Sequence, residues 1–390
     1  MQKSSLSFLL LLFFFPLSLL ATDVQRLRVG ADELPQVLSL IRNKRVAMVI
    51  NQTSRMSNGT FLADTLLACH ADIRRIFAPE HGFRGDADAG EKIKDGKDVK
   101  TGVEVISLYG KNYKPLPEQV ADVDAVIFDV QDVGARFYTY ISTMHYVMEA
   151  CAENGVEVIV LDRPNPNDAV DGPLLDLKYR SFVGMHPIPV LHGLTMAELA
   201  LMINGEGWLQ GGIRCNLEVV RVTGWKHGQP YSLPVKPSPN LPNDQAISLY
   251  PSLCFFESTE VSVGRGTTFP FQVVGFPDMR FGKFRFTPKS LPGFDKKPLQ
   301  KDKLCYGVDL RNYKPKTAGI DLDLFIRFYR LSNQREAFFS SPAFMDKLAG
   351  SDVLRKQIIA GKSVAEIRQS WQQDLTAYKA LRSKYLLYGE

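Results

Sequence analysis

DAVIFDV (residues 124–130), QDVGARFYTYISTMHYVMEACAENG (131–155) and VEVIVLD (156–162) follow one another without interruption. The outer runs are short and rich in Val and Ile, as strands are. Between them, residues 138–154 carry apolar side chains at helical spacing, and Asn154-Gly155 is a helix stop. Strand, helix and strand in this order form a parallel pair joined by a crossover, and continuously apolar strands suit a sheet covered on both faces. Reading outward, residues 45–51 (RVAMVIN), 73–78 (IRRIFA) and 103–108 (VEVISL) are further strands, and residues 59–70 a helix. The alternation continues through a strand at 187–191, a helix at 195–204 and a strand at 216–222. It predicts an α/β fold built on a doubly wound, mainly parallel sheet.

Residues 224–251 are rich in Pro, Gly and Asn and read as a long loop without regular helix. Beyond residue 266 the pattern changes. Strand-like pieces at 269–276, 284–286 and 305–310 precede helical stretches at 321–331, 342–348 and 363–385. In the last, Val364, Ile367, Trp371, Leu375, Tyr378 and Leu381 form one apolar stripe that needs a core to dock on. The expected organisation is a signal peptide at 1–21, a doubly wound α/β domain at 22–265 and a smaller α/β domain at 266–390.

The chain has 390 residues, of which 45% are hydrophobic and 23% charged, an ordinary globular composition. Its 47 basic and 42 acidic residues give a net charge of +5 with no basic run longer than two, which argues against a nucleic-acid partner. The leader has one Lys, an apolar run from Phe8 to Leu20 and Ala21 before Thr22, the three-part pattern of an export signal. Periplasmic or secreted localisation is expected, with no membrane partner after cleavage. Five widely spaced cysteines without CxxC favour neither a disulfide framework nor a zinc site.

Ligands of open parallel sheets sit beyond the carboxyl ends of the strands. Those ends here are PEHGFRG (79–85), QDVGARFYTY (131–140), RPNP (163–166) and HG (192–193). Glu80 suits a general acid, or else a cap or ion pair with Arg84; His81 suits an acid/base or a ligand. Asp132 and Arg136 are spaced as an i,i+4 pair, and Asp162-Arg163 has the same double reading. Phe137, Tyr138 and Tyr140 suit packing or a sugar face. Arg265, between two glycines, can reach a carboxylate. The absence of a GxGxxG turn, a GxSxG elbow and SxxK excludes a nucleotide cofactor and the usual serine nucleophiles, so no cofactor is expected.

Taken in order, PEHGFRG, TGVEVISLYG, FDVQDVGARFYTYISTM, LDRPNP, HGLTMAELA, SPNLP and FESTEVSVGRGTTFPF resemble the exo-β-N-acetylmuramidase family over nearly the whole mature chain. The resemblance implies a Rossmann-like domain at 22–265, an active-site cleft between it and the smaller domain, and a glycosidase that releases N-acetylmuramic acid from the non-reducing ends of peptidoglycan fragments such as MurNAc-GlcNAc. It implies Glu80 as acid/base, with Asp132 or Glu257 as a second catalytic group. It also implies that His81, Arg84, Asp129, Gln131, Arg136, Tyr138, Tyr140, Asp162, Arg163, Asn165, Asn240 and Arg265 line the substrate site. For the lactyl carboxylate of the sugar, Arg136 and Arg265 are the candidate partners. Carboxyl groups roughly 5–5.5 Å apart would retain anomeric configuration, and roughly 6.5–9.5 Å would invert it; attack by the sugar's own acetamido group is the third route. Two departures from the family pattern stand out: residues 167–173 read NDAVDGP, with Asp171 in place of Glu, and Ser258 replaces a Gly. The competing readings are a fragment-binding protein without catalysis, and a metal-dependent hydrolase using His81, Asp129 and Asp132.

Overall fold

A computed structural model describes residues 26–83, 96–315, 319–332 and 337–389. The leader and Arg84 lie outside the described residues. The strands are β1 (Arg45–Ile50), β2 (Asp72–Ala78), β3 (Gly96–Lys97), β4 (Glu104–Ser107), β5 (Ala125–Asp129), β6 (Glu157–Leu161), β7 (Val170–Leu174), β8 (Pro189–His192), β9 (Leu217–Val220), β10 (Val273–Phe276), β11 (Phe284–Phe286) and β12 (Cys305–Asp309). Seven of them form one sheet in the order β3-β4-β2-β1-β5-β6-β9, parallel except for the edge strand β3. Without β3, the chain order across the sheet is the doubly wound one, reversing direction between β1 and β5.

Alternation along these strands feeds two cores. Ala47, Val49, Val126 and Phe128 face one, and Val46, Met48, Ile50, Ala125 and Ile127 the other, so both faces are dry and the strands read as unbroken apolar runs. The crossover helix Tyr140–Asn154 ends where Gly155 turns left-handed (φ 68°). Helix Met196–Gly205 begins with a capping box between Thr195 and Glu198.

Three expectations are corrected. The stretch expected as a strand at 187–191 forms β8, which leaves the main sheet and pairs antiparallel with β7 in a separate ribbon. Its apolar residues match a sheet strand, and nothing local distinguishes one partner from another. The Pro-rich loop ends in a helix, Asp244–Leu253, with Pro251 inside it. Asn243 caps that helix through Ala246 N, and Asn167 Nδ2 donates to Ile247 O, the carbonyl that Pro251 leaves unpaired. The expected helix at 363–385 is two helices, Val364–Ser370 and Gln372–Arg382, that meet at Trp371, and a further helix at Val353–Ile359 precedes them.

Strands β10, β12 and β11 make a smaller antiparallel sheet. Val274 of this sheet belongs to the same apolar cluster as Phe255, Phe325, Val190 and Leu199, while Val273, Phe286 and Cys305 form a small cluster of their own. The C-terminal helix docks on the ribbon, where Tyr378 donates to His192 O (2.7 Å) and Arg382 Nε to Gly193 O (2.7 Å). Among the described residues no helix is long and apolar enough to cross a membrane, and the five cysteines are free thiols.

Candidate active site

The reversal between β1 and β5 opens the crevice in which a doubly wound sheet binds its ligand. Its floor is cross-braced by side chains. Asn51 accepts from Thr53 N and Oγ1 and donates to the Tyr140 hydroxyl; Ser54 donates to Asp129 O; Gln131 N donates to Thr53 Oγ1. Beyond β2, Gly82 N closes a turn on Pro79 O (3.1 Å). The third turn residue, His81, is held at φ 72°, a left-handed conformation that a non-glycine residue adopts only at some cost.

Beside this turn is a cavity of about 380 Å³ lined by Glu80, His81, Tyr138, Asn240, Glu257 and Arg265 together with aromatic side chains. The residues on its wall come from both sides of the expected boundary at 265/266, Phe271, Phe344 and Leu348 from beyond it. Glu80 Oε2 accepts a 2.6 Å hydrogen bond from Thr139 Oγ1. Glu257, in the turn Cys254–Ser258, takes Arg265 Nε and Nη2 on its Oε1, both at 2.6 Å, and its Oε2 faces the Cys254 thiol at 3.6 Å. The Arg265 guanidinium also lies 5.2 Å from the Phe271 ring centroid. Burial lowers the pKa of His81, and Arg265 adds to that effect against the opposing pull of Glu80, so the ring is neutral near pH 7.

The other expected site residues are turned inward. Asp129 makes a buried bidentate pair with Arg163 (2.6 and 3.0 Å). Gln131 donates to Asp132 O and Pro164 O. Asp132 is absent from the cavity wall and accepts from Gly134 N; burial pushes its pKa up to about 7 against the pull of the Gly134 and Val133 amides. Arg136 is not free for a sugar carboxylate: its guanidinium, 1% exposed, donates to the carbonyls of Pro173, Ile188 and Leu348. Tyr140 donates to Pro237 O. Asp162 accepts from Ala197 N and the Tyr388 hydroxyl. Asn165 holds Leu194 O and Asn167 N, while Gly134 packs so closely on it that a Cβ would fall 2.0 Å from Asn165 Oδ1. Asp171 joins the ribbon to Ile320 N and Arg368 rather than facing a sugar. Ser258 is outside the left-handed region, so the loss of the family's glycine costs no backbone strain. Its hydroxyl donates to Phe255 O. No cluster of three or more His, Cys, Asp or Glu side chains among the described residues is arranged to hold a metal ion.

Several wall residues escaped the sequence reading: Tyr109, Tyr113, Thr139, Phe182, Tyr250 and Phe271. Tyr109 follows β4 at its carboxyl end and was accessible to the strand-end rule. Phe182 was not, because it follows no strand of the main sheet; it packs against Tyr113, Tyr109 and Tyr146, with ring centroids 4.1, 6.1 and 6.5 Å away.

Family models described as the N-terminal and C-terminal parts of the exo-β-N-acetylmuramidase NamZ match residues 46–245 and 248–388. The peptidoglycan β-N-acetylmuramidase NamZ of Bacillus subtilis (strain 168) is 38% identical, covering 93% of this chain and 92% of that protein. Two crystal structures of DUF1343 family proteins from Bacteroides fragilis NCTC 9343 superpose closely. One is 45% identical with a TM-score of 0.86 over 94% of this chain and 99% of its own, and the other is 29% identical with 0.79 over 93% and 99%.

Proposed function

The chain belongs to the exo-β-N-acetylmuramidase family, and from that premise we propose that it frees N-acetylmuramic acid from the non-reducing end of fragments such as MurNAc-GlcNAc, with Glu80 as proton donor. The observation that carries the assignment is the position of Glu80: on the wall of a cavity beside the strand-order reversal, its carboxylate oriented by Thr139. A cavity of about 380 Å³ is near the lower end of the roughly 300–1,000 Å³ common for small-molecule sites, a size that suits one terminal sugar better than a chain threaded through.

In this reading Glu80 protonates the glycosidic oxygen as positive charge develops on the anomeric carbon. Glu257 is the second charged group, preferred over Asp132 because it shares the cavity wall with Glu80. Paired with Arg265, it is placed to stabilise an oxocarbenium-like centre or to orient water. Tyr113 and Phe182 supply an aromatic wall for a sugar ring. The apolar leader supports export to the periplasm or medium, where cell-wall fragments occur.

The test is release of reducing sugar from MurNAc-GlcNAc, with and without chelator. Turnover by the unaltered protein that disappears in Glu80→Gln, with an unchanged melting temperature, is the expected result. Binding without product would establish a fragment-binding protein instead, and chelator-sensitive turnover a metal enzyme.

A further inference from the structure

Thr139 stands at the entry of the crossover helix Tyr140–Asn154, where its carbonyl accepts Ser142 N and Thr143 N, both at 3.0 Å. A threonine in this position normally turns its hydroxyl back to cap a free amide of the first turn. Here the side chain makes no capping bond, and the hydroxyl goes instead to Glu80 Oε2 at 2.6 Å, across 59 positions of the chain. The helix forgoes a stabilising cap, and one oxygen of the proton donor is held in its place. Both residues line the cavity. The next residue, Tyr140, has its hydroxyl 3.4 Å from Glu80 O, so the helix entry and the turn after β2 pack directly on each other.

A protonated carboxyl group has one oxygen that carries the proton and one that accepts. With the Thr139 hydroxyl donating to Oε2, the proton belongs on Oε1. As the bond from the anomeric carbon to the leaving sugar breaks, its electron pair stays with the glycosidic oxygen, which takes the proton from Oε1 and leaves Glu80 a carboxylate; water completes the hydrolysis. The Thr139 bond then runs to an anion rather than to a neutral acceptor, and charge-assisted bonds are the stronger. An interaction that tightens along the reaction in this way raises kcat rather than affinity. Tyr109, on the same wall, is a second donor beside this carboxyl: burial, and then the charge and hydrogen bonding of Glu80, keep its phenol protonated. Thr139 is set apart from it by the short bond and by a place on the crossover helix of the main sheet.

We propose that Thr139 is the positioning residue of the proton transfer, holding Oε2 of Glu80 as an acceptor so that Oε1 delivers the proton to the leaving sugar. The assignment rests on the muramidase reading and adds to it the residue that aims the acid and the oxygen that acts.

The test compares two substrates: MurNAc-GlcNAc, whose leaving sugar needs the proton, and the dinitrophenyl glycoside of N-acetylmuramic acid, whose leaving group departs without it. Kinetics and melting are measured on the unaltered protein, Glu80→Gln, Thr139→Val, Thr139→Ser and Tyr109→Phe. Thr139→Val is expected to lower kcat on MurNAc-GlcNAc by about 10-fold or more with KM within about 3-fold, and to change kcat/KM on the dinitrophenyl glycoside by less than about 3-fold. Thr139→Ser keeps the hydroxyl and should recover most of the loss. Because no cap is given up, Thr139→Val should melt close to the unaltered chain, and Thr139→Ala carries the same test if the valine variant does not fold. Equal losses on both substrates, a loss that Thr139→Ser does not recover, or the same pattern in Tyr109→Phe with Thr139→Val fully active, overturn the assignment. Glu80→Gln inactive on MurNAc-GlcNAc beside a Thr139→Val as active as the unaltered protein would overturn it while the muramidase reading stands; an unaltered protein that cleaves neither substrate would sink both.

Discussion

Two polar clusters in this molecule are built from the same kinds of side chain and end in opposite states. One is the cavity wall, with Glu80, Glu257, Arg265, His81, Tyr138 and Asn240. The other ties down the C-terminal tail with Asp162, Asp168, Glu198, His227, Arg382 and Tyr388. In the second, His227 bonds Asp168 through Nδ1 (2.9 Å) and Glu198 through Nε2 (2.9 Å). Glu198 also receives Thr195 N and Leu387 N, and the Tyr388 hydroxyl sits between Asp162 and Val222 N. The carboxylates and the tyrosine of the tail cluster are closed by protein donors, whereas Glu80, Glu257 and Arg265 line a cavity. The residue types are shared; the difference is whether the packing around them closes or leaves a cavity.

The sharpest way to break this comparison is at Glu257. Glu257→Gln is expected to lower kcat on MurNAc-GlcNAc by about 10²-fold or more, with folding retained, and Asp132→Asn to lower it by far less. Reversal of that order would return Asp132 to the reaction. Next comes the closed pair behind the cavity. Arg163→Ala leaves Asp129 buried without its counter-ion and should cost about 3–5 kcal/mol of unfolding free energy in urea titration; a loss under 1 kcal/mol would mean that Asp129 is not relying on the pair. In the tail, Tyr388→Phe strands a buried oxygen of Asp162 and should cost about 1–3 kcal/mol while leaving kcat/KM of the folded enzyme unchanged. A selective loss of activity would show that the tail cluster is not purely structural.

The smallest effect is one of pH. Burial pulls the His227 pKa down, but hydrogen bonds to Asp168 and Glu198 outweigh it and raise it to about 9. A histidine raised above its unfolded value stabilises the fold fully below about pH 6.5 and ceases to do so as the pH passes about 9. The melting temperature of the unaltered protein should therefore decline between pH 7 and 9.5 more than that of His227→Gln. Identical slopes would remove His227 as the source.

Much of the fold was legible because its signals are local. The Val- and Ile-rich runs of β1, β2, β5 and β6, the helix stop at Gly155 and the capping box at Thr195 are each read within a few residues. The strand-end rule found Glu80, His81 and Tyr138 by the same logic, and the motifs that contain Glu257 and Arg265 came from the resemblance. What failed to be legible was partnership. Asp162 and Arg136 have the residue types of a sugar site, yet Asp162 meets Tyr388 across 226 positions and Arg136 meets Leu348 across 212. The β8 strand and the helix carrying Pro251 likewise depend on neighbours brought in from elsewhere.

The sequence alone determined the doubly wound sheet and the cluster of candidate groups at its strand ends, because periodicity and chain order are written along the backbone. Only the tertiary structure decided which of those groups remained available. A buried polar atom must be paired, and whether a protein donor or a ligand completes the pair depends on distances between residues that the linear chain does not record.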